Sequence, residues 1–554
     1  MQSTPDELED QAAYAGRWIA MIGERIVGQG GTPEQARQAA KATRPKEIPE
    51  IHYVALRQPL SISPWIQQIS AILPKSASVY VVGGAVRDAL LQRDTHDLDF
   101  VVAADAVRIA RMVADTLKGA FYLLDADRQT ARVIVQPLEG ERLVFDFALQ
   151  RGPDLESDLR ARDFTIDAIA VDIHNPEAML DPLGGVADLA AKRLRACSPD
   201  AFTSDPVRIM RAVRLAAAYQ LNILPETRRW MKQASPGLER VSPERQRDEL
   251  FRILGGPQPA LVIRALDLLG ALAYLLPEIA QLKGVSQSSP HSEDVFGHSL
   301  ATLQWLEQLL SILAAVPDEE AVNNLMMGQV ALRLGRYRQR VKEHLETRLN
   351  PERTDRSVLF LAALYHDAGK PFTRQVDSKG RIRFFKHEEI GAQIVAQRAK
   401  SFNLSNLEGL YLATIVHHHM RPLWLAHQGD PLRGRTVYRF FRNTEAAGVD
   451  ICLLGLADVL STYGTNLPPE LWARHLEVVD TLLAGWWERP QELVSPPRLV
   501  NGDDLMAKLH LSPGPQIGRL LEAIREAQAS GEVSTPQQAI ELAGAILAGK
   551  TTPE

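Results

Sequence analysis

Along this 554-residue chain the spacing of apolar positions changes character twice. In the first stretch, Arg17-Trp18-Ile19-Ala20-Met21-Ile22 and Arg25-Ile26-Val27 lie close to Gly23, Gly28, Gly30 and Gly31, which predicts a hairpin. Thr32 then caps a helix running from Pro33 to Ala40, with Pro33 at its first position and Gln35 completing a capping box, and Glu50 to Val54 reads as a closing strand. From 61 to 190, short apolar runs mix with helical periods. Val79 to Val82, Leu98 to Val102, Arg132 to Val135 and Leu143 to Phe147 predict strands, Gly83-Gly84 a turn, Val86 to Leu91 a helix start and Asp105 to Leu117 a helix. Beyond Asp205 the period is helical almost throughout: Arg208 to Ala218, Arg245 to Leu254, Ala260 to Leu276, His298 to Ala314 and Ser357 to His366. Gln375 to Phe385 reads as a short hairpin, Lys283 to Pro290 breaks the helices, and Pro490 to Pro497 links to a helical end over Gly502 to Ala548.

The expected fold class is therefore α+β. A small α/β head over 61–200 follows an accessory unit at 10–56 and precedes a helical neck at 201–285, an all-helical domain at 290–470 and a C-terminal helical module at 498–550. The length agrees, since about three to five domains are the prior for a chain this long. No apolar run approaches the roughly 18 residues a spanning helix needs, and the start, Met1-Gln2-Ser3-Thr4-Pro5-Asp6-Glu7, lacks a basic, then apolar, leader. A cytoplasmic protein without membrane partners is the expectation.

Charge adds one thing. The net value of -6 hides a reversal between Ala191 and Arg252, where thirteen Lys and Arg, among them Arg208, Arg211 and Arg214, face seven acids. That stretch is either a phosphate-attracting surface or a solvated helical face. Two cysteines, Cys197 and Cys452, make neither a disulfide framework nor a sulfur-rich metal site, so any metal must be held by His and carboxylate groups.

Two groups of such ligands stand out. Asp97-Leu98-Asp99 begins a strand, whose alternation puts both carboxylates on one face, a pairing that is costly without a cation. Just upstream, Gly83-Gly84 between strand and helix offers backbone N–H groups to a triphosphate, with Arg87 and the helix dipole adding positive potential. Asp146, on the strand Leu143 to Phe147, can serve as a third carboxylate; a buried or capping role competes. This set suits two-metal attack of an RNA 3′-hydroxyl on an α-phosphate, with Mg2+ the expected ion. The second group is His366-Asp367 with His298, His387, His417, His418 and Asp458, spread over helical segments and sufficient for one or two divalent ions.

The first group carries a resemblance. Gly83-Gly84-Ala85-Val86-Arg87-Asp88 with Asp97-Leu98-Asp99, Arg162-Asp163-Phe164-Thr165-Ile166-Asp167-Ala168, Asp181 to Leu189, Asp205 to Arg214 and Glu244 to Leu250 follow in the order found in class II tRNA nucleotidyltransferases and bacterial poly(A) polymerases. The resemblance spans about Val79 to Leu276. It implies that Asp97 and Asp99 ligate metal, that Arg162 and Asp163 contact the triphosphate or ribose, and that Asp205 and Arg208 read the incoming base. A carboxylate and a guanidinium at i and i+3 can do this, as they can form a plain helix ion pair. The expected partners are tRNA or other RNA 3′ ends, CTP and ATP, and the product is all or part of CCA, or an A tail. The chain departs from that pattern at Ala161, Asp167 and Ser204.

About Pro290 to Glu470 resembles the HD superfamily of metal-dependent phosphohydrolases. That resemblance implies His298, His366, Asp367 and Asp458 as the basic ligand set and Lys370 as a phosphate contact. It also implies a second metal position at His387 and His418, with His417 and His419 as competing choices, and Mn, Ni, Fe, Co or Mg as the ion. The C-terminal module resembles that of the same fused enzymes, and residues 10–56 resemble a small domain of unknown function.

Overall fold

In the computed structural model, residues 12–55, 60–137, 142–314, 325–350, 353–428 and 431–549 are described. The outermost residues of the expected end domains, 10, 11, 56 and 550, lie outside them. The chain forms two compact units, Met1–Val241 and Ser242–Glu554. The division falls inside the expected neck: residues up to Val241 belong with the head, and those from Ser242 with the helices that follow.

Among its described residues the first unit holds three sheets, the smallest a parallel pairing of Arg193–Leu194 with Asn222–Ile223. A three-stranded sheet, ordered β2-β1-β3, is made by β1 (Arg17–Ile22), β2 (Arg25–Gly30) and β3 (Glu50–Val54). Thr32 caps the helix Pro33–Thr43 by accepting from the Gln35 N–H. The expected capping box is altered: Gln35 Oε1 accepts from Gly31 N, one residue earlier, while its Nε2 donates to the Pro182 carbonyl at 2.9 Å. That bond docks the small sheet onto the head, together with Trp18 Nε1 donating to Met179 O at 2.8 Å and Asp181 N donating to Gly31 O at 2.7 Å. The seam is so close that a Cβ on Gly31 would lie 1.5 Å from the Asp181 carbonyl oxygen.

The head sheet has seven strands in the order β10-β9-β4-β5-β8-β7-β6: β4 (Val79–Val82), β5 (Asp97–Val102), β6 (Ala120–Asp125), β7 (Thr130–Val135), β8 (Leu143–Leu149), β9 (Ala170–Asp172) and β10 (Asn175–Leu180). The alternation expected for β5 is realised, with Leu98 and Phe100 buried and Asp97 and Asp99 open. On the buried face Phe100 stacks on Phe147 at 4.6 Å, under a core shared with the helices Pro64–Ile72 and Ala106–Leu117. The opposite face carries the carboxylates. Strands β6, β9 and β10 are additions to the expected elements; in β6 the run Phe121 to Leu124 hides its period because an irregularity between Leu123 and Asp125 breaks the alternation.

Among its described residues the second unit is helical apart from a hairpin, Arg374–Val376 with Ile382–Phe384, where the pattern placed one. The helix expected over Ala260 to Leu276 is split at Gly270, whose φ of 74° ends Pro259–Leu268 before Leu272–Leu275 begins. One stretch, Ala447–Asn466, is long and apolar enough to cross a membrane, contrary to expectation, but it is mostly buried as a core helix of this unit. Asp355, Asp450, His344 and Tyr411 form a buried polar group here: His344 Nε2 and the Tyr411 hydroxyl both bond Asp450 Oδ2, the former at 2.9 Å. The C-terminal helices Gly502–Leu509, Pro515–Ala529 and Pro536–Leu547 enclose a small core of their own around Leu505, Leu520 and Ala539.

Two outcomes follow. Gly31→Ala is expected to lower the thermal midpoint of the full chain, at a cost of about 2 kcal/mol or more, because backbone must separate along the docking seam; amide exchange should show the loss at residues 179–182 and 17–31. Burial and the Asp450 charge push the Asp355 carboxyl from 3.8 up to about 7, and His344 is also raised, because Asp450 outweighs the effect of its burial. Both folded-state values exceed the unfolded ones, so both contributions are complete at low pH and fade as pH rises. The thermal midpoint should fall from pH 5 to pH 8, and Asp355→Asn should flatten the part below about pH 7.

Candidate active sites

Strand register builds the first site. β5 and β8 pair in parallel with Asp99 opposite Asp146, and β4 pairs with β5 so that Val82, the residue before the glycine turn, lies opposite Asp99. Asp97, Asp99 and Asp146 thus share one face on adjacent strands. Gly83 adopts φ 74° and ψ -137°, which glycine reaches without strain. A side chain there would begin 3.4 Å from both Asp99 Oδ2 and Arg162 Nη1, so the bare backbone leaves the space beside the carboxylates clear. Asp99 keeps an opening to solvent, yet the protein crowding its other sides pushes its carboxyl up to about 6; Arg162 opposes that rise and Asp146 adds to it. Clustered acids of this kind are the donor set a divalent cation takes, and a bound cation returns them to the ionised form.

The arginines sort into two groups. Arg87 was expected to lend its charge to phosphates; instead its buried guanidinium is committed to Asp167 at 2.6 Å, to Asp88 at 3.0 Å and to the Tyr219 hydroxyl and ring. Its work is to fasten the glycine turn to the segment 162–167. Asp167, whose occurrence departs from the family pattern, is the acid that receives it. Arg162 pairs with Asp158 at 3.3 Å and still reaches the space near Gly83. Arg211 holds Asp163 at 2.9 Å and approaches Asp167 at 3.6 Å.

Asp205 ends the short helix Ala201–Ser204 and Arg208 begins Arg208–Tyr219. The two charges are 3.9 Å apart, and Arg208 also donates to the carbonyls of Ala201 and Ala161 at 3.2 Å each, which fixes the pair against the segment carrying Arg162. Arg214 lies two turns on along the same helix and is half-buried. Sequence reasoning missed Arg132: opposite Asp146 in the register, it grips both carboxylate oxygens at 2.8 Å and sets their direction. The pairing was legible in principle, as β7 and β8 were both predicted, but not their register.

The second site collects side chains from five helical segments. His298 Nε2 lies 3.4 Å from Asp367 Oδ2 and 3.0 Å from Asp458 Oδ1, and His366 Nε2 lies 3.3 Å from His298 Nε2. Across Asp367 sits a second group, His387 and His419, with Nε2 atoms 3.4 Å apart and His387 3.3 Å from Asp367 Oδ1. Lone pairs would repel at these distances if no positive charge lay between them. The other ring nitrogens explain the arrangement: Nδ1 of His366, His387 and His419 face the carbonyls of Ala363, Phe384 and Val416 at 2.6–2.8 Å, which makes each Nδ1 the protonated donor and frees each Nε2 to ligate. Burial keeps His419 neutral, pushed down to about 3. Burial would raise Asp367, yet His366 and Lys370 hold it well below the carboxylate range.

The choice of His418 is therefore corrected. His418 packs edge-on against His417 outside the cluster, and His419 enters it, since successive residues of a helix end point about 100° apart. Lys370 lies 2.6 Å from Asp367, at the edge of a cavity of about 440 Å3 walled by Phe384, Phe385 and Trp424. His291 was also missed; its ring packs 4.9 Å from that of His298.

The comparisons with known proteins match the regions that carry both sites. The poly A polymerase head domain matches residues 79–195, "Probable RNA and SrmB- binding site of polymerase A" residues 220–283, the HD domain residues 295–462, tRNA nucleotidyltransferase domain 2 residues 492–543, and a family of unknown function residues 10–56. An A-adding tRNA nucleotidyltransferase of Deinococcus radiodurans is 32% identical over 83% of this chain and 93% of its own length. The chain belongs to the tRNA nucleotidyltransferase family. A CC-adding tRNA nucleotidyltransferase of Geobacter sulfurreducens is 33% identical over 83% of the chain and 90% of its own length. Among solved structures, a CCA-adding enzyme in complex with CTP shares the fold at TM-score 0.57 and 21% identity, covering 88% of this chain and 96% of that one. This tRNA nucleotidyltransferase thus carries an HD domain with two adjoining His/Asp clusters suited to divalent metal. Metal analysis after Mn2+ loading should find one bound ion fewer in His419→Ala than in the parent, and no change in His418→Ala.

Proposed function

We propose that the head extends tRNA 3′ ends with all or part of CCA, from CTP and ATP, and that the HD centre hydrolyses phosphate esters. The observation that carries the first reading is the meeting of Asp97, Asp99 and Asp146 beside the bare Gly83 turn, with Arg162 alongside and the Asp205–Arg208 pair fixed against the same segment. The full-length relatives named above add A or CC, which supports a tRNA acceptor and leaves the number of added nucleotides to experiment.

In this reading the glycine turn and Arg162 hold the triphosphate, and Asp205 with Arg208 offers acceptors and donors to the edge of C or A. The acceptor oxygen bonds to the α-phosphorus as the bond to the departing pyrophosphate breaks and the hydroxyl proton leaves to water. Mg2+ held by Asp97, Asp99 and Asp146 would ease loss of that proton and stabilise the leaving charge. Arg132 grips both Asp146 oxygens from β7 and so fixes the direction of that carboxylate.

At the second centre, His298, His366, Asp367 and Asp458 would hold one divalent transition ion or Mg2+, and His387, His419 and Asp367 another. The ions would supply an activated water for attack on a phosphate ester. Lys370 stands ready to meet a phosphate oxygen, and the aromatic wall beside it suits an organic rather than an inorganic substrate.

The test uses tRNA transcripts ending before CCA, after C and after CC, each with CTP, ATP or both and Mg2+, resolved to single nucleotides. Addition that stops within CCA, reduced at least about 1000-fold in Asp97→Ala and Asp99→Ala, is expected. Long A tails would make the chain a poly(A) polymerase, and no extension by the parent enzyme would leave the HD centre as the working site.

A further inference from the structure

The register that unites the carboxylates continues to the edge of the sheet. From the glycine turn outward, residues of one face pair in a single row: Val82, Asp99, Asp146, Arg132 and Tyr122. The triphosphate cradle lies on the Val82–Gly83 side of Asp99, and Asp146, Arg132 and Tyr122 lie on the other. In-line displacement needs the entering oxygen and the departing pyrophosphate on opposite sides of the α-phosphorus. With the leaving side fixed at Gly83, the acceptor must come over β8, β7 and β6.

We propose that this open strip of sheet is the seat of the acceptor RNA's 3′-terminal nucleotides, with the Tyr122 ring as its stacking platform. This rests on the nucleotidyltransferase reading and goes beyond it by assigning residues to the acceptor. Tyr122 is 50% exposed although it sits in a strand. Its neighbour Phe121 turns the other way, under Arg111 at 4.3 Å on the helix-covered face, so Tyr122 faces the side that carries the carboxylates. At about 4.8 Å per strand it stands roughly 14 Å along the row from Asp99, far enough to lie under a base rather than at the reacting oxygen. A parallel row starting at Asp97 continues through Val144, Ile134 and Ala120, which border it with small or apolar side chains. The platform therefore joins a charged end, where the sugar and phosphate react, to an aromatic end that takes the face of any base. Stacking of this kind tolerates sequence, whereas the incoming base is read elsewhere, by Asp205 and Arg208.

β6 is also the edge of the sheet, with Leu123 and Leu124 about half exposed, and pairing with a second copy is the competing use of the same edge. Continuity with the carboxylates favours RNA, because edge pairing would need the β6 backbone and gives no reason for an aromatic ring on the reacting face.

The test uses the full chain, the tRNA transcript that the parent enzyme extends, and matched transcripts in which one of the last two nucleotides is abasic. Tyr122→Ala should lower kcat/KM for tRNA roughly tenfold, leave the KM for the nucleotide unchanged and keep the parental thermal midpoint, while Tyr122→Phe should retain parental values. On the abasic acceptor the difference between parent and Tyr122→Ala should vanish, which a merely structural tyrosine would not produce. Equal kcat/KM for tRNA in parent and Tyr122→Ala overturns the proposal, as does an unchanged ratio on both abasic acceptors. A change confined to self-association would make the edge an interface between copies and also overturn it. Failure of the parent enzyme to extend any transcript would instead remove the reading on which it rests.

Discussion

Both candidate centres of this protein face one constraint: groups that repel one another must be held close together. In the head, strand pairing supplies the holding force, because backbone hydrogen bonds fix neighbouring residues whatever their side chains prefer. Asp99 and Asp146 are neighbours by register and Arg132 balances one of them. In the HD domain the ligands sit on helices and helix ends rather than on paired strands, and helix packing does the same work with help from backbone carbonyls that orient three imidazoles inward. One centre is thus held through main-chain pairing and the other through side-chain hydrogen bonds to backbone carbonyls.

Much of this was legible along the chain. The strand bearing Asp97 and Asp99 follows from alternation, and the long helices follow from their period. What stayed hidden was orientation. Three consecutive histidines at the end of a helix, His417, His418 and His419, look equivalent in sequence, and only the direction of the helix relative to Asp367 selects the third. Arg87 shows a different loss: a positive residue beside a glycine turn between strand and helix invites a phosphate-ligand role, but burial next to Asp167 commits it to the fold. Long-range partners such as Arg132 and Asp146, or Gln35 and Pro182, depend on register and docking, which local patterns do not encode.

The arginine network gives the head its coherence. Arg87 ties the glycine turn to Asp167, Arg211 ties the helix Arg208–Tyr219 to Asp163 and Asp167, and Arg208 ties that helix to Ala161. The glycine turn, the segment 162–167 and the helix Arg208–Tyr219 therefore share a single set of linked charges. A substitution at one of these acids leaves an uncompensated guanidinium in a poorly solvated place and reaches residues far from its own contact.

The docking seam at Gly31 bears on how the chain comes off the ribosome. The small sheet over residues 17–54 has only local pairings and can close early, but its partners Met179, Asp181 and Pro182 are made some 130 residues later. At ordinary elongation speeds that is a wait of roughly 6–25 s, during which the Trp18 and Gly31 face has no covering. An early-folding unit with a late partner is open for that interval to chaperones or to neighbouring nascent chains, and slow codons between residues 55 and 180 would lengthen its exposure.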